Sequence, residues 1–139
     1  MKRTANAVWN GSLKEGNGKI STKSGVLDNT PYSFNTRFGD EKGTNPDELI
    51  AAAHAGCFAM ALSLILGEAG HTPDSLQVKA EVNMDADKLE LTGSHLTLKA
   101  KIPGIDKETF MECAEKAKAG CPVSKALNLD ISLEASLEG

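Results

Sequence analysis

Positive charge is sparse and scattered in this chain. Its 15 lysines and arginines are outnumbered by 19 aspartates and glutamates, for a net charge of -4. Without a basic patch or stripe to follow a phosphate backbone or an anionic bilayer, neither nucleic acid nor membrane is expected as a partner; a small molecule is. The opening residues, MKRTANAVWNGS, contain no continuous apolar run of the kind a signal peptide needs, and a cytoplasmic protein is expected. Only three cysteines are present, which in such a compartment points away from a disulfide framework and towards free, catalytic or metal-bound thiols. Linkers, internal repeats and low-complexity tracts are also missing, so residues 1–139 read as a single domain.

What the chain does have is one long apolar stretch, Asn45 to Gly70. Asn45 can cap a helix there, Pro46 suits its first position, and Asp47 and Glu48 place negative charge on the positive end of its dipole. Gly67, Gly70 and Pro73 mark the exit. From Leu49 to Leu66 every residue except His54 and Ser63 is apolar or small. Such a helix has no polar face for water and is expected to be surrounded. The run nearly has the roughly 20 residues of a membrane span, but it is built mostly of Ala, Gly and Ser, contains a histidine, and lacks an aromatic belt or basic flank. A chain of this size can hardly enclose such a helix alone, so an oligomer is expected.

Around this helix the pattern is that of strands. Residues 4–14 and 18–27 read as a hairpin turning at Gly16-Asn17-Gly18, and Tyr32–Thr36 as a third short strand before a polar loop, Arg37–Asn45. After the helix, Leu76, Val78, Ala80, Val82 and Met84 alternate with polar residues. In residues 89–102 the apolar phase changes across Gly93-Ser94-His95, which predicts a β-bulge, with His95 there as a bulge or exposed residue and not a ligand. Asp106 can cap a helix over 107–119 whose buried face carries Phe110, Cys113, Ala114 and Ala117, a packing role for Cys113. Gly120 ends it, Cys121-Pro122 follows, Val123–Leu127 gives at most one or two further turns, and Ile131, Leu133, Ala135 and Leu137 alternate into a last strand. The class is α+β with antiparallel sheet.

Cys57 sits in the middle of the long helix, 12 residues after Asn45. That is roughly 18 Å along the axis, beyond reach of a dipole whose effect fades within one turn. Burial among apolar neighbours would by itself raise the thiol pKa, so a reactive Cys57 requires a nearby cation. Arg37 is one of only two arginines and lies in the segment feeding the helix. It can bridge a thiolate and a carboxylate with its fork of donors, or simply pair at the surface with Asp40 and Glu41. Asp47 and Glu48 either serve the dipole alone or hold Arg37. Asp47 is about 15 Å from Cys57 along the same helix, so one arginine can hardly touch both within one chain; if the three act together, acid and thiol come from different subunits. His54, one turn before Cys57, is expected to be a packed, hydrogen-bonded histidine in preference to a general base or metal ligand, because a lone HxxC has no second pair of ligands. Cys121, at a helix end, is placed to move as a resolving thiol, among other readings.

GTNPDELIAAAHAGCFAMALSLILGEAG, together with PYSFNTRFGDEKGTNP and AKAGCPVSKAL, closely resembles the osmotically inducible protein C and organic hydroperoxide resistance family over practically the whole chain. Arginine in NTRF, just before the helix, matches the osmotically inducible branch. The resemblance implies an intertwined homodimer of antiparallel six-stranded sheets wrapped around two long central helices. It implies a thiol-dependent peroxidase for organic hydroperoxides, acting in oxidative and osmotic stress, reduced by an external dithiol of lipoyl type, and using neither cofactor nor metal. By motif, Cys57 is the peroxidatic cysteine, Cys121 the resolving one and Arg37 the activating cation. The family's acid directly follows the proline of NPE; here Asp47, one methylene shorter, holds that position with Glu48 next to it. The competing reading is a non-enzymatic redox-sensing or metal-binding stress protein that uses Cys57, Cys121 and His54.

Overall fold

Three short strands open the chain in the computed structural model, which describes residues 1–138. β1 (Ala5–Asn10), β2 (Asn17–Thr22) and β3 (Thr30–Tyr32) form an antiparallel sheet in that order. The hairpin turn lies upstream of the expected Gly16-Asn17-Gly18. Gly11 takes a φ of +93°, the Gly16 N–H donates to the Ser12 carbonyl, and Asn17 and Gly18 are already in the ladder opposite Asn10 and Trp9. Gly18 serves a different purpose. It lies in register between Trp9 and Tyr32, whose rings meet over it with centroids 5.4 Å apart. A Cβ at this position would fall 2.5 Å from a Tyr32 ring carbon and 2.7 Å from a Trp9 ring carbon. Gly18→Val is therefore expected to split the ring pair and cost about 1–3 kcal/mol. Urea unfolding followed by the fluorescence of Trp9, the single tryptophan, checks this.

The third strand ends sooner than its pattern suggests, and a helix follows. α1 (Phe34–Phe38) begins at Ser33, whose hydroxyl accepts the Thr36 N–H (3.2 Å) while the Thr36 hydroxyl accepts the Ser33 N–H (2.8 Å). This reciprocal capping box stabilises a helical turn that hydrophobic periodicity alone does not announce. Arg37 thus stands on a helix and not in a loop. Asn45 then caps α2 (Pro46–Glu68), accepting the Glu48 N–H at 2.8 Å, and ties it to α1 by donating to the Thr36 carbonyl at 3.0 Å. At the far end Gly70 (φ +87°) and the His71 N–H donating to Leu66 O close the helix as a left-handed cap.

The chain gathers into two compact units, Met1–Leu49 and Ile50–Gly139. In the second, β4 (Ser75–Asp85), β5 (Glu90–Lys101) and β6 (Asp130–Glu138) form a sheet in that order, with α3 (Lys107–Gly120) and α4 (Pro122–Ala126) between β5 and β6. The ladder steps between Asn83 and Met84, leaving Thr92 as the extra residue on β5, next to the predicted bulge. His95 is paired regularly with Glu81 and takes a 2.6 Å hydrogen bond with Ser132. β5 and β6 run parallel, so the expectation of an antiparallel sheet is corrected: the α3–α4 crossover is long enough to return the chain to the starting end of β5. Asp106 caps α3 through the Thr109 N–H, as expected. Phe58, Leu62 and Leu66 of α2, Leu96, Leu98 and Ala100 of β5, and Phe110, Cys113, Ala114 and Ala117 of α3 form one buried cluster.

α2 carries buried and exposed residues side by side. His54, Phe58, Leu62 and Leu66, spaced four apart, are buried. Met60 and Leu64 are 77% and 65% exposed, and Ala53, Gly56 and Gly67 are exposed beside them.

Candidate active site

Two thiols meet in the second unit. Cys57 is half-buried on α2, and Cys121 is fully buried as the single residue between α3 and α4. The junction is held more firmly than its Gly-Cys-Pro composition suggests: the Cys121 N–H donates to Ala117 O at 3.0 Å and its carbonyl accepts the Lys125 N–H at 3.1 Å. Both are free thiols, near enough for each to act on the other's proton. Burial pushes the Cys57 thiol above its ordinary value, and the neighbouring Cys121 adds to this against a weaker pull from the Val123 N–H. Burial also opposes ionisation of Cys121, but the Cys57 thiol, the Ser124 N–H and hydroxyl and the Val123 N–H outweigh it and leave Cys121 below its ordinary value. No full cap hydrogen bond reaches the Cys121 sulfur at the start of α4; the N–H groups of the first turn act on it by their orientation. Within this unit burial works against ionisation of Cys57, which stands where a cation is needed to ionise it.

His54, one turn before Cys57, is enclosed. Its Nδ1 lies 2.7 Å from the Ser94 hydroxyl and its Nε2 2.8 Å from that of Ser124. This is the packed, hydrogen-bonded histidine the sequence predicts, with both ring nitrogens engaged by serines. Burial holds its pKa below the ordinary 6.5. In the unfolded chain the imidazole therefore binds a proton before the folded one does, so this contribution is intact above about 6.5 and is lost as pH falls below it. His54→Gln is expected to flatten the acid side of the stability profile between pH 7 and 5, measured by urea midpoint against pH.

The first unit holds the other predicted residues. Arg37 grips Asp47 with two bonds, Nε to Oδ2 at 3.3 Å and Nη2 to Oδ1 at 3.1 Å, and its guanidinium lies 5.5 Å from the centre of the Phe38 ring. Asp47 is thus the acid that holds the arginine. Glu48 is exposed, and its N–H is used by the Asn45 cap. Asp40 and Glu41, the surface partners considered for Arg37, are not bonded to it; Glu41 takes the Ser33 hydroxyl at 3.2 Å. Beside the guanidinium opens a cavity of about 260 Å³, lined by Trp9, Leu13, Tyr32, Ser33, Phe34 and Pro46 with Arg37 itself. It offers an apolar wall and one forked cation. Among the described residues no three His, Cys, Asp or Glu gather as a metal site.

Sequence reasoning did not single out Ser94, Ser124 or the aromatic cavity. Ser94 lies in the stretch where the β5 phase changes, a place where an inward polar residue is possible, and Ser124 is three residues after Cys121, the spacing of a helix cap and its N3 partner. Both signals are visible only once the histidine is known to face them, 40 and 70 residues away.

Two free thiols that act on each other's protons, on an α+β frame, are the parts a thiol redox protein uses. The family model described as OsmC-like protein matches residues 39–136. The chain is 51% identical to peroxiredoxin OsmC of Escherichia coli (strain K12), with 99% of this chain and 98% of that one covered. It is 34% identical to the organic hydroperoxide resistance protein OhrB of Bacillus subtilis (strain 168), covering 84% and 88%. Among solved structures, an organic hydroperoxide resistance protein from Elizabethkingia anophelis superposes with a TM-score of 0.74 at 28% identity, covering 99% of each chain. The chain belongs to the OsmC-like family. It is a cysteine-based thiol peroxidase of stress defence.

Proposed function

We propose that this chain reduces organic hydroperoxides to alcohols, with Cys57 as the peroxidatic and Cys121 as the resolving cysteine, in the cytoplasm. The pairing of the two thiols side by side in one unit carries this reading. The Cys57 thiolate attacks the terminal peroxide oxygen, the O–O bond breaks, and the alkoxide leaves as alcohol after taking a proton. Cys57 is left as sulfenic acid, which Cys121 converts to an intramolecular disulfide and water. An external dithiol, of lipoyl type, then exchanges with that disulfide and is itself oxidised.

Cys57 is pushed up by its own surroundings, so the cation that ionises it comes from elsewhere. Arg37, with Asp47 orienting it and its side chain 35% exposed, is the group that fits the task. We assign the Arg37–Asp47 pair of one subunit to the Cys57 of another, and Glu48 a role only at the helix dipole. The supporting observation is the uncovered α2 face, Ala53, Gly56, Met60, Leu64 and Gly67, whose small and apolar residues suit a second α2 packed against it. In this homodimer the two three-stranded sheets become parts of six-stranded ones wrapped around two α2 helices, and each chain acts as one peroxidase domain. The aromatic cavity beside Arg37 receives the organic part of the substrate.

Coupled turnover with a lipoyl-type dithiol tests the assignment. The expected kcat/KM for an aromatic or long-chain hydroperoxide exceeds that for hydrogen peroxide by at least tenfold, from a dimer by sedimentation. Equal values for the two oxidants, or full activity in a monomer, contradict it.

A further inference from the structure

We propose that Ser124 is a catalytic hydroxyl for the resolving step, with His54 and Ser94 as the positioning residues that clamp it beside Cys121. This rests on the reading of Cys121 as the resolving thiol. The geometry is a closed circuit. α2 carries both His54 and, one turn on, Cys57; the start of α4 carries both Cys121 and, at its third position, Ser124. A 2.8 Å hydrogen bond from His54 Nε2 to Ser124 Oγ fastens the second pair onto the first, and all three of His54, Ser94 and Ser124 are buried. Cys121 directly precedes α4 and Ser124 is its third residue, so the two side chains share the first turn, near enough for Ser124 to act on the Cys121 proton.

A neutral imidazole donates from one ring nitrogen and accepts at the other. In the tautomer that serves this role the Ser94 hydroxyl donates to Nδ1, Nε2–H donates to Ser124 Oγ, and the Ser124 proton is left for the Cys121 sulfur; in the opposite tautomer Ser124 donates to Nε2 instead. A hydroxyl held as donor stabilises a thiolate and not a thiol. The direction of the Cys121 pKa agrees, with Ser124 among the groups that lower it.

The chemistry balances without a further reagent. The Cys121 thiolate supplies the electron pair of the new S–S bond, the S–O bond of the Cys57 sulfenic acid breaks, and hydroxide leaves. It takes up a proton in place of the one Cys121 released, so the sum is one disulfide and one water.

The experiment separates oxidation from resolution. Reduced protein is mixed with one equivalent of an organic hydroperoxide; sulfenic acid at Cys57 is trapped with dimedone at timed intervals, and disulfide is counted by mass across pH 5.5–8.5. In Ser124→Ala the oxidation rate is expected to stay within twofold of wild type. Its resolution rate at pH 7 falls about tenfold, and its rise with pH moves upward by about one unit. Ser124→Thr, which keeps the hydroxyl, restores resolution to within threefold, a rescue that a merely structural role would not produce. Ser94→Ala, which leaves the imidazole unoriented, falls between them; His54→Leu matches Ser124→Ala if it folds. Wild-type resolution and an unmoved pH profile in Ser124→Ala overturn the proposal. Cys121→Ser is the control for the reading beneath it: disulfide still forming at Cys57 in that variant would mean that the resolving assignment itself is wrong.

Discussion

Cys57→Ser is expected to abolish peroxide turnover, because the hydroxyl that replaces the thiol is neither a nucleophile at neutral pH nor able to pass through a sulfenic acid. The other two cysteines separate from it by position. Cys121→Ser still permits one oxidation of Cys57, leaving a sulfenic acid that accumulates because no resolving thiol faces it. Cys113→Ser retains turnover, since Cys113 is buried among Phe110, Ala114 and Ala117 on α3 and its part is packing. Peroxide consumed per protein, counted with and without dithiol, distinguishes the three: none, one equivalent, and continuing turnover. Equal losses in all three variants would mean that the assignment of roles fails.

Arg37→Ala is expected to slow the oxidation of Cys57 at neutral pH by more than tenfold, which corresponds to more than about 1.4 kcal/mol. The helix dipole does not reach a residue so far from the first turn, and burial together with Cys121 drives the Cys57 thiol the wrong way. A cation has to reverse this, and the Asp47 carboxylate holds Arg37 in a fixed fork. Arg37→Lys recovers only part of the rate, because an ammonium cannot present the same planar pair of donors. The check is the iodoacetamide labelling rate of Cys57 against pH, beside the single-turnover rate with an organic hydroperoxide. If Arg37→Ala labels and turns over as wild type does, the activating group lies elsewhere.

Much of this was legible in the residues themselves, where the signals were local. Asn45-Pro46-Asp47-Glu48 announced the start of α2, Gly70 its end, and Asp106 the start of α3, since a cap needs only its own first turn. The loss of α1 to a strand reading has the same origin turned round: a five-residue helix has too few apolar positions for periodicity, and only the Ser33–Thr36 box declares it. The parallel β5–β6 pairing was not legible, because alternation along β6 is the same whichever way its neighbour runs. At the site, Cys57, Cys121, Arg37 and Asp47 carried motif signals. Ser94 and Ser124 did not, because a buried hydroxyl is recognised by what it bonds and not by its neighbours in sequence.

The central claim is that Cys57 and Cys121 of one chain form the disulfide that completes each peroxide reduction. Its most direct test is to oxidise fully reduced protein with one equivalent of an organic hydroperoxide, block remaining thiols, and map the peptides without reduction. The expected result is a single Cys57–Cys121 linkage within one chain, Cys113 blocked as a free thiol, and one alcohol released per disulfide. A linkage through Cys113, a disulfide joining two chains, or oxidation without alcohol would contradict it.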